Sequence, residues 1–480
     1  MKKLRDLYPE AERDVTLRNI RTSSLEVEPG DLFVCISGIS ADRHAYADDA
    51  IRRGAAAIVA SKNIGEKSVP VVYVKNTDEE LPSLAERFYD APEKELKLFA
   101  VTGTDGKTTT STIIQQLIGT GRCGYIGTNG VSCDGYEGDS NNTTPDIDKL
   151  YEFFRAFRDH GCDYVSMEVS SDAYYRNRVK GILFDCSVFT NITPEHLNTH
   201  KSFENYKECK KDLFRNTKKD GVCVINRDAK YSEEFMEASA GKVLTYGKSE
   251  DCDLQIVDWK QNAKTTDILF RWEAETFPVV TSLLGEFNVY NLAGAFLALL
   301  ANGYSKEELI PKMKELAIDG RVVMLETDAD YYVMVDYAHT PNGIQNIFSL
   351  VNTLGMDKIY VVIGAAGTRD PYKRPDMGKA VCENPKTYGI FTYEDPRTEE
   401  PADICADLTS AIQDRDNFEI VLDRGEAIEK AVMYLKKNEI ALILGKGNED
   451  TEELRDGPIH FNDIEEAYKA IRKKNAQKKD

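Results

Sequence analysis

Seven consecutive residues, Gly103-Thr104-Asp105-Gly106-Lys107-Thr108-Thr109, have the types and spacing of a phosphate-binding loop. They follow an apolar stretch typical of a strand, Leu96 to Thr102, and precede a helical pattern from Ser111 to Ile118. Glycines let backbone amides turn toward phosphate oxygens, the lysine reaches the outer phosphates, and the Thr108 hydroxyl can bind Mg²⁺. Val101 replaces the first glycine of the full P-loop pattern. The loop predicts a nucleoside triphosphate site, but motor, GTPase, kinase and ligase remain open.

Two further polar residues follow predicted strands of the same region. Glu168 comes directly after the strand Tyr164 to Met167, and His196 lies in the loop after the strand Cys186 to Phe189. Ligands of parallel α/β sheets usually bind at the carboxyl ends of the strands. A carboxylate and an imidazole at that edge, beside a phosphate loop, indicate a candidate Mg²⁺ site.

The elements that must position these residues form three α/β blocks. About three domains is also the number expected for a chain of 480 residues. Strands alternate with helical stretches in each block, so we expect an α/β fold with mostly parallel sheets, the last block being Rossmann-like and doubly wound. The predicted domains are 1–95, 96–318 and 319–480. The predicted strands of the first block are 31–35, 56–60 and 71–74. Those of the second block are 96–102, 164–167, 186–189 and 222–225, and those of the third are 331–335, 358–363, 389–392 and 440–444.

Charge and composition exclude several classes of protein. A formal net charge of -20 argues against a duplex nucleic-acid binder, which needs a basic surface. The first twenty residues contain no signal-peptide core, and no apolar run approaches the roughly 18 residues of a membrane span. The 10 cysteines include no CxxC pair, so we expect reduced thiols without a metal role. These features predict a cytoplasmic protein that binds no nucleic acid and has no membrane span.

Five motifs in their order resemble those of the Mur ligases: GTDGKTT, NTTPD (142–146), MEVSS (167–171), FTNITPEHLNTH (189–200) and NYKECKKDLF (205–214). The resemblance extends over essentially the whole chain. It implies an ATP-dependent amide ligase of peptidoglycan synthesis with a UDP-binding, an ATP-binding and an amino-acid-binding domain, in that order. It also implies that Lys210 is carbamylated by CO₂ and, with Thr108, Glu168 and His196, organises Mg²⁺.

The resemblance implies a set of nucleotide contacts outside the phosphate loop as well. An asparagine of the motif at 285–291 is expected at the adenine, Arg321 near phosphate, and Asp336 near the ribose. The implied ATP-binding residues are Gly103, Thr104, Asp105, Gly106, Lys107, Thr108, Thr109, Asn288, Asn291, Arg321 and Asp336.

The first block resembles the opening of the Mur ligases that add the third peptide residue to a UDP-N-acetylmuramoyl-dipeptide. It carries their PGDLF motif at 29–33, whereas Thr22, Ser24 and Arg43 depart from the usual DSR and DGHxF motifs. The residues implied to bind the UDP substrate are Ser23, His44, Tyr46, Asn142, Thr143, Thr144, Ser170 and Arg178.

The resemblance implies that the last block binds the incoming amino acid. The implied residues are Arg369, Asp395, Arg397, Gly445 and Glu449. A guanidinium such as Arg397 suits the second carboxylate of meso-diaminopimelate. Asp395 stands where diaminopimelate-adding members carry asparagine, and its charge would repel that carboxylate and attract a lysine ammonium. Diaminopimelate is favoured, and L-lysine remains open.

The implied reaction activates a carboxylate with ATP as an acyl phosphate, which an amine then attacks. The site is expected to be complete only when the domains close and exclude water, and we expect a monomer. Asp172 and Asn448 replace usual histidines, which leaves a specialised paralogue as an alternative. Two other functions remain as alternatives. A folate polyglutamylating enzyme would not explain the PGDLF motif at the start of the chain. A non-catalytic Mur-like binding subunit would not need Lys107, Glu168, His196 and Lys210 together.

Overall fold

The computed structural model describes residues 1–38, 41–140, 142–195, 197–262, 264–413 and 416–477. It divides into two compact units. The first contains Met1–Ile192, Glu204–Asp253 and Gly294–Ser305, and the second contains Thr193–Phe203, Leu254–Ala293 and the chain from Lys306 onward. His196, a predicted metal ligand, lies outside the described residues.

The strands are numbered in chain order. They are β1 (Lys2–Lys3), β2 (Thr16–Leu17), β3 (Ile20–Arg21), β4 (Leu32–Val34), β5 (Ala57–Ala60), β6 (Val71–Tyr73), β7 (Lys97–Thr102), β8 (Cys123–Gly127), β9 (Gly130–Cys133), β10 (Tyr136–Gly138), β11 (Tyr164–Glu168), β12 (Phe184–Phe189), β13 (Thr217–Asn226), β14 (Lys242–Gly247), β15 (Leu254–Gln261), β16 (Thr266–Trp272), β17 (Glu275–Thr281), β18 (Val323–Leu325), β19 (Tyr332–Asp336), β20 (Ile359–Ile363), β21 (Thr387–Phe391), β22 (Phe418–Ile420), β23 (Ile440–Leu444), β24 (Thr451–Leu454) and β25 (Gly457–His460).

The α-helices are numbered in the same way. They are α1 (Leu4–Leu7), α2 (Ala47–Arg53), α3 (Thr77–Tyr89), α4 (Lys107–Ile118), α5 (Ile147–Asp159), α6 (Ser171–Tyr175), α7 (Leu197–His200), α8 (Phe203–Arg215), α9 (Ser232–Ala238), α10 (Glu286–Ala301), α11 (Lys306–Leu309), α12 (Pro341–Thr353), α13 (Arg374–Cys382), α14 (Pro401–Thr409), α15 (Arg424–Tyr434) and α16 (Asp463–Gln477). Short 3₁₀ turns cover 24–26, 43–46, 92–94, 310–315 and 371–373.

The first unit contains two sheets in which most strands are parallel. The smaller has the order β3-β4-β5-β6 and is parallel throughout. In the larger, β8, β11, β7, β12, β13 and β14 lie side by side in parallel, and β9 and β10 extend it antiparallel beyond β8. The carboxyl ends of β7, β11 and β12 therefore lie next to one another, which places the phosphate loop and Glu168 at one sheet edge.

Helix α5 shows how the sequence pattern becomes packing in this unit. Its apolar residues recur at helical spacing, and Leu150, Phe153, Phe154 and Phe157 are buried. Phe157 covers Gly124 of β8, where an added Cβ would overlap its ring. The helix is thus fixed against the sheet directly beside the strand that leads to the site.

The second unit contains the six-stranded sheet β18-β19-β23-β20-β21-β22, in which β18 is the antiparallel strand. Alternate residues of its strands enter opposite cores. Val361 joins one core with α12, α13 and α14, whereas Tyr360 and Val362 join another with α15 and α16. Helices on both faces make this a doubly wound sheet, which confirms the predicted fold class of the last block. The antiparallel strands β15, β16 and β17 and the hairpin β24–β25 also belong to this unit.

A buried ion pair joins α15 to α16 in the second unit. Arg424 donates to both oxygens of Asp463 at 2.8 and 2.6 Å, and neither side chain is exposed. Arg424 also donates to the Leu444 carbonyl at the end of β23 at 3.0 Å. The pair therefore anchors the last helix beside the sheet edge that carries the loop at 445–449.

We predict that Arg424→Met destabilises the protein by about 3 to 5 kcal/mol, because it leaves the Asp463 carboxylate buried without its cation. Arg455→Met is the matched control, since the Arg455–Glu400 pair is exposed and worth about 0 to 1 kcal/mol. Urea unfolding followed by circular dichroism measures both. Similar losses in the two variants would show that burial does not make the Arg424 pair special.

Candidate functional site

The phosphate loop joins the end of β7 to the start of α4. Gly106 caps the helix with φ +85, a left-handed conformation that favours glycine. At Gly103 an added Cβ would overlap the Thr190 hydroxyl. Lys107 Nζ donates to the carbonyls of Gly103 and Thr104, both at 2.9 Å. The predicted cation thus lies within the loop that would surround the phosphates.

The neighbouring strand β12 fixes the loop through the residues that follow it. The Thr104 amide donates to the Asn191 carbonyl at 2.9 Å, and the Asp105 amide to Asn191 Oδ1 at 3.0 Å. The Thr190 hydroxyl donates to the Asp105 carbonyl at 2.6 Å. The Thr190-Asn191 pair therefore holds the backbone of the phosphate loop.

Glu168 is the last residue of β11, and its carboxylate is completely buried. Oε1 accepts from the Tyr125 hydroxyl and from the Thr128 amide, both at 2.8 Å, and Oε2 accepts from the Thr128 hydroxyl at 3.3 Å. An added Cβ on Gly127 would overlap both Glu168 and Tyr125. Tyr125 and Thr128 were not predicted as site residues, and nothing in their sequence pattern marks them.

Three of the residues predicted to bind the UDP substrate meet beside Glu168. The Thr144 hydroxyl donates to the Glu168 carbonyl at 3.0 Å and accepts from the Ser170 amide at 3.0 Å. Arg178 Nη1 donates to the Thr144 carbonyl at 3.0 Å. Thr143 lies 3.3 Å from the Thr128 hydroxyl, and Asn142 is exposed.

Lys210, on α8, is buried beside the phosphate loop. Its Nζ donates to the Gly103 carbonyl at 2.7 Å and lies 4.7 Å from the centroid of the Tyr206 ring. The structure therefore brings Lys210 to the loop, while the contacts of Glu168 are to Tyr125 and Thr128. Carboxylate, hydroxyl and carbamate oxygens are the hard donors that Mg²⁺ prefers. Glu168, Thr108 and a carbamylated Lys210 fit this ion by donor type.

The first sheet carries the other predicted UDP contacts. His44 is held through both ring nitrogens: Nδ1 is 2.6 Å from Asp42 Oδ1, and Nε2 lies 3.0 Å from the Ser61 amide, which donates to it. Ser23 precedes the turn at 24–26, and Tyr46 is half exposed at the end of the turn at 43–46. The motif therefore presents an ordered imidazole and an accessible ring.

The predicted adenine contacts lie near the start of α10, in the second unit. Asn288 Nδ2 donates to the Leu284 carbonyl at 2.8 Å, and Asn291 Nδ2 donates to Asn288 Oδ1 at 3.1 Å. Both side chains are buried. The two predicted residues are thus connected by a hydrogen bond between their side-chain amides.

Arg321 and Asp336 lie around the end of β19. The Arg321 guanidinium is 4.3 Å from the centroid of the Tyr337 ring. Asp336 accepts from the Val322 and Ala338 amides, both at 2.7 Å. Asp336 therefore holds the backbone on either side of the strand end, a role beyond the predicted ribose contact.

Three of the five residues predicted to bind the incoming amino acid, Asp395, Arg397 and Glu449, cluster with a buried lysine, Lys446, which was not predicted from the sequence. Its Nζ donates to Asp395 Oδ1 at 2.9 Å and to Glu449 Oε2 at 3.0 Å, and its side chain is not exposed. Arg397 Nη2 is 4.0 Å from Asp395 Oδ2. These four residues, Asp395, Arg397, Lys446 and Glu449, form what we call the charge cluster. It contains two cations and two anions.

Neighbouring residues hold the charge cluster in place. Arg397 Nη1 donates to the Gly367 carbonyl at 3.0 Å, and the Tyr337 hydroxyl donates to Glu449 Oε1 at 3.1 Å. Gly445 has φ +118, and an added Cβ would overlap the Glu394 carboxyl. Arg369, in contrast, is exposed.

Asp172 and Asn448, which stand where the motifs usually have histidine, both contact neighbouring residues. Asp172 forms an ion pair with Arg176 at 3.3 Å. Asn448 lies against Gly320, where an added Cβ would come within 2.6 Å of its amide nitrogen. Both positions are therefore accommodated within the surrounding structure.

The chain is similar to known proteins over most of its length. Residues 101–299 match the sequence family described as Mur ligase middle domain, and residues 320–447 match the Mur ligase, glutamate ligase domain. A UDP-N-acetylmuramoyl-L-alanyl-D-glutamate--2,6-diaminopimelate ligase of Bacillus cereus is 37% identical over 474 residues, which are 97% of this chain and 96% of that protein.

Solved structures of Mur ligases have the same fold. A UDP-N-acetylmuramoyl-L-alanyl-D-glutamate--2,6-diaminopimelate ligase matches over 99% of both chains, with a TM-score of 0.66 and 27% identity. The MurF ligase of Thermotoga maritima in complex with ADP matches 96% of this chain and 98% of its own, with a TM-score of 0.67 and 19% identity. At that identity the second match concerns the fold alone.

We predict that the titration of Glu394, beside the charge cluster, makes stability depend on pH. Burial raises the pKa of this carboxyl to about 7, from 4.5. The native protein therefore gains stability from the protonated form below about pH 4.5, and this gain is lost as the pH rises through about 7. Glu394→Gln should match wild type at about pH 4 and exceed it by roughly 3 kcal/mol at about pH 8.5. Urea unfolding at both pH values measures this, and a pH-independent difference would contradict it.

Proposed function

The chain belongs to the Mur ligase family of ATP-dependent amide ligases, and we propose that it adds meso-diaminopimelate to UDP-N-acetylmuramoyl-L-alanyl-D-glutamate in peptidoglycan synthesis. The printed activity of the Bacillus cereus relative, which aligns over nearly the whole chain, supports this substrate pair. The observation that carries the choice of amino acid is the charge cluster of Asp395, Arg397, Lys446 and Glu449. We assign UDP binding to 1–95, ATP binding to 96–318 and amino-acid binding to 319–480.

ATP supplies the activation. The terminal D-glutamate carboxylate attacks the γ-phosphorus, the bond to the bridging oxygen breaks, and ADP leaves. The chain's part is to position groups and balance charge, with Lys107 and the loop amides at the phosphates. Thr108, Glu168, His196 and a carbamylated Lys210 would hold Mg²⁺, which would supply positive charge to the oxygens of the reacting groups.

The amino acid then attacks the acyl phosphate. Its neutral amine forms the new amide bond at the acyl carbon, and inorganic phosphate leaves. Arg369, Gly445 and the charge cluster orient the amino acid. This reaction uses ATP and a nucleotide-linked precursor, so we place the protein in the cytoplasm. Among the described helices, none has the length and apolar character needed to cross a membrane.

The charge cluster bears on which amino acid the site selects. Asp395 alone would repel the second carboxylate of diaminopimelate. Lys446, however, lies 2.9 Å from Asp395, so the negative charge is already balanced within the protein. The distal end of diaminopimelate carries one ammonium and one carboxylate, which match Glu449 and Arg397. A lysine side chain would satisfy only the anion.

Phosphate release with ATP, UDP-N-acetylmuramoyl-L-alanyl-D-glutamate and each amino acid in turn tests the proposed function. We expect release that depends on meso-diaminopimelate and a product whose mass has increased by one residue. Lys107→Ala should abolish it, and Lys219→Ala, an exposed lysine of the same unit, should leave it intact. ATP binding without release for any amino acid would instead support a non-catalytic binding subunit.

The predicted carbamate has its own test. Lys210→Ala should be inactive and partly rescued by short carboxylic acids, because a small carboxylate can replace the missing carbamate oxygens. ¹³C NMR of wild type in labelled bicarbonate should show a carbamate signal that the variant lacks. Lys211→Ala, at the next position of α8, should retain the signal and gain nothing from carboxylic acids. A signal of equal strength in Lys210→Ala would remove the carbamate from this residue.

The last test in this group concerns amino-acid selectivity. Arg397→Ala should lower kcat/KM for meso-diaminopimelate by roughly tenfold to a hundredfold, the range of a charged hydrogen bond, and affect L-lysine much less. Arg397 also bonds to the Gly367 carbonyl, so Arg397→Lys is the matched variant that keeps the charge. Equal losses for both amino acids would mean that Arg397 only supports the pocket.

A further inference from the structure

A cavity of about 290 Å³ lies in the first unit. Its lining includes residues 36–38, 41 and 43 after β4, residues 146–148 around the start of α5, and residues 175–178. It therefore joins the motif with the ordered His44 to the region of Thr144 and Arg178. Three arginines and three aspartates line it, so the pairing of these charges decides which ligand it fits.

Five of the six charged side chains have partners. Asp146 and Arg178 form an ion pair at 2.8 Å, and Arg176 pairs with Asp172 at 3.3 Å. Asp78 accepts from the Ser37 amide at 3.1 Å, and Asp148 accepts from the Thr22 amide at 3.1 Å. Burial, the largest influence on Asp148, raises its pKa to about 6.

Arg43 is the exception. Its backbone amide donates to the Ile36 carbonyl at 2.9 Å, which fixes the residue at the cavity wall. Its Nη1 is buried and makes no hydrogen bond to any residue in the described part of the chain. A buried guanidinium nitrogen without an acceptor is costly unless a ligand supplies one. The planar guanidinium also matches the oxygens of a phosphate.

We propose that Arg43 is a specificity residue of this cavity and that it binds a phosphate of the nucleotide part of the acceptor substrate. This rests on the proposed function, because it takes the acceptor to be a UDP derivative. It goes further in assigning the phosphate contact to a residue that stands where the motif usually has glycine. A glycine has no side chain for this contact, so proteins that keep the usual glycine lack the affinity gained from Arg43.

A series of ligands that differ in phosphate content tests the assignment by calorimetry. Uridine, UMP, UDP and UDP-N-acetylmuramoyl-L-alanyl-D-glutamate are titrated into wild type, Arg43→Gln and Arg43→Lys. Arg43→Gln should weaken the ligands that carry the contacted phosphate by roughly tenfold to a hundredfold and leave uridine unchanged. Arg43→Lys should recover part of the loss. Arg52→Gln, whose side chain is 69% exposed on α2, should bind every ligand like wild type.

Steady-state kinetics separate the acceptor from ATP as the source of the phosphate. Arg43→Gln should raise KM for the acceptor and leave kcat and KM for ATP unchanged. The inference is overturned if Arg43→Gln binds UDP like wild type, if it loses uridine as strongly as UDP, or if KM for ATP rises instead. If wild type binds neither UDP nor the acceptor, the proposed function fails as well. If wild type turns over normally and Arg43→Gln has the same KM for the acceptor, only the role of Arg43 is overturned and the proposed function stands.

Discussion

A charged side chain that is buried at the end of a strand needs hydrogen-bond partners. This constraint determines how the residues around Glu168 are arranged in the first unit. An ionised carboxylate out of contact with water is very costly unless donors compensate it. Glu168 is such a group, and Tyr125 and Thr128 supply its donors. Both come from β8 and the turn after it. Gly127, between them, has no side chain because the carboxylate occupies that space. The hairpin β8–β9 is therefore part of the site.

The second unit meets the same constraint with opposite charges. Lys446 has no exposed side-chain surface, yet it bonds to two carboxylates, Asp395 and Glu449. The Glu453 amide donates to the same Asp395 oxygen at 3.0 Å, which ties the hairpin β24–β25 to the cluster. Charges that are balanced before a ligand arrives favour a ligand that is itself balanced. This is the physical basis for proposing that the cluster binds a zwitterionic side chain in preference to a single cation.

Sequence analysis could predict the elements whose signal is local. The strand at 440–444 agrees with β23 at both ends, and the predicted strand at 164–167 is β11 except for its last residue, Glu168. Helix α4 begins at Lys107, four residues before the predicted start, because the left-handed Gly106 begins the helix within the loop. The antiparallel strands β15 to β17 were missed, although β16 and β17 alternate buried and more exposed residues in the way typical of a strand.

The site divides in the same way between what a sequence shows and what only packing decides. The phosphate-loop pattern predicts Lys107, and the position of Glu168 after a strand predicts a ligand there, whereas Lys210 is predicted only from the family resemblance. Tyr125 and Lys446 were missed as site residues because their roles depend on contacts across 43 and 51 residues of chain, to Glu168 and Asp395. Such contacts also change the meaning of a substitution. Asp395 appears in the sequence as an unbalanced negative charge, whereas in the fold it is one half of an ion pair. A departure from a motif therefore has to be judged together with the residue that it contacts, and for Asp395 that residue is Lys446.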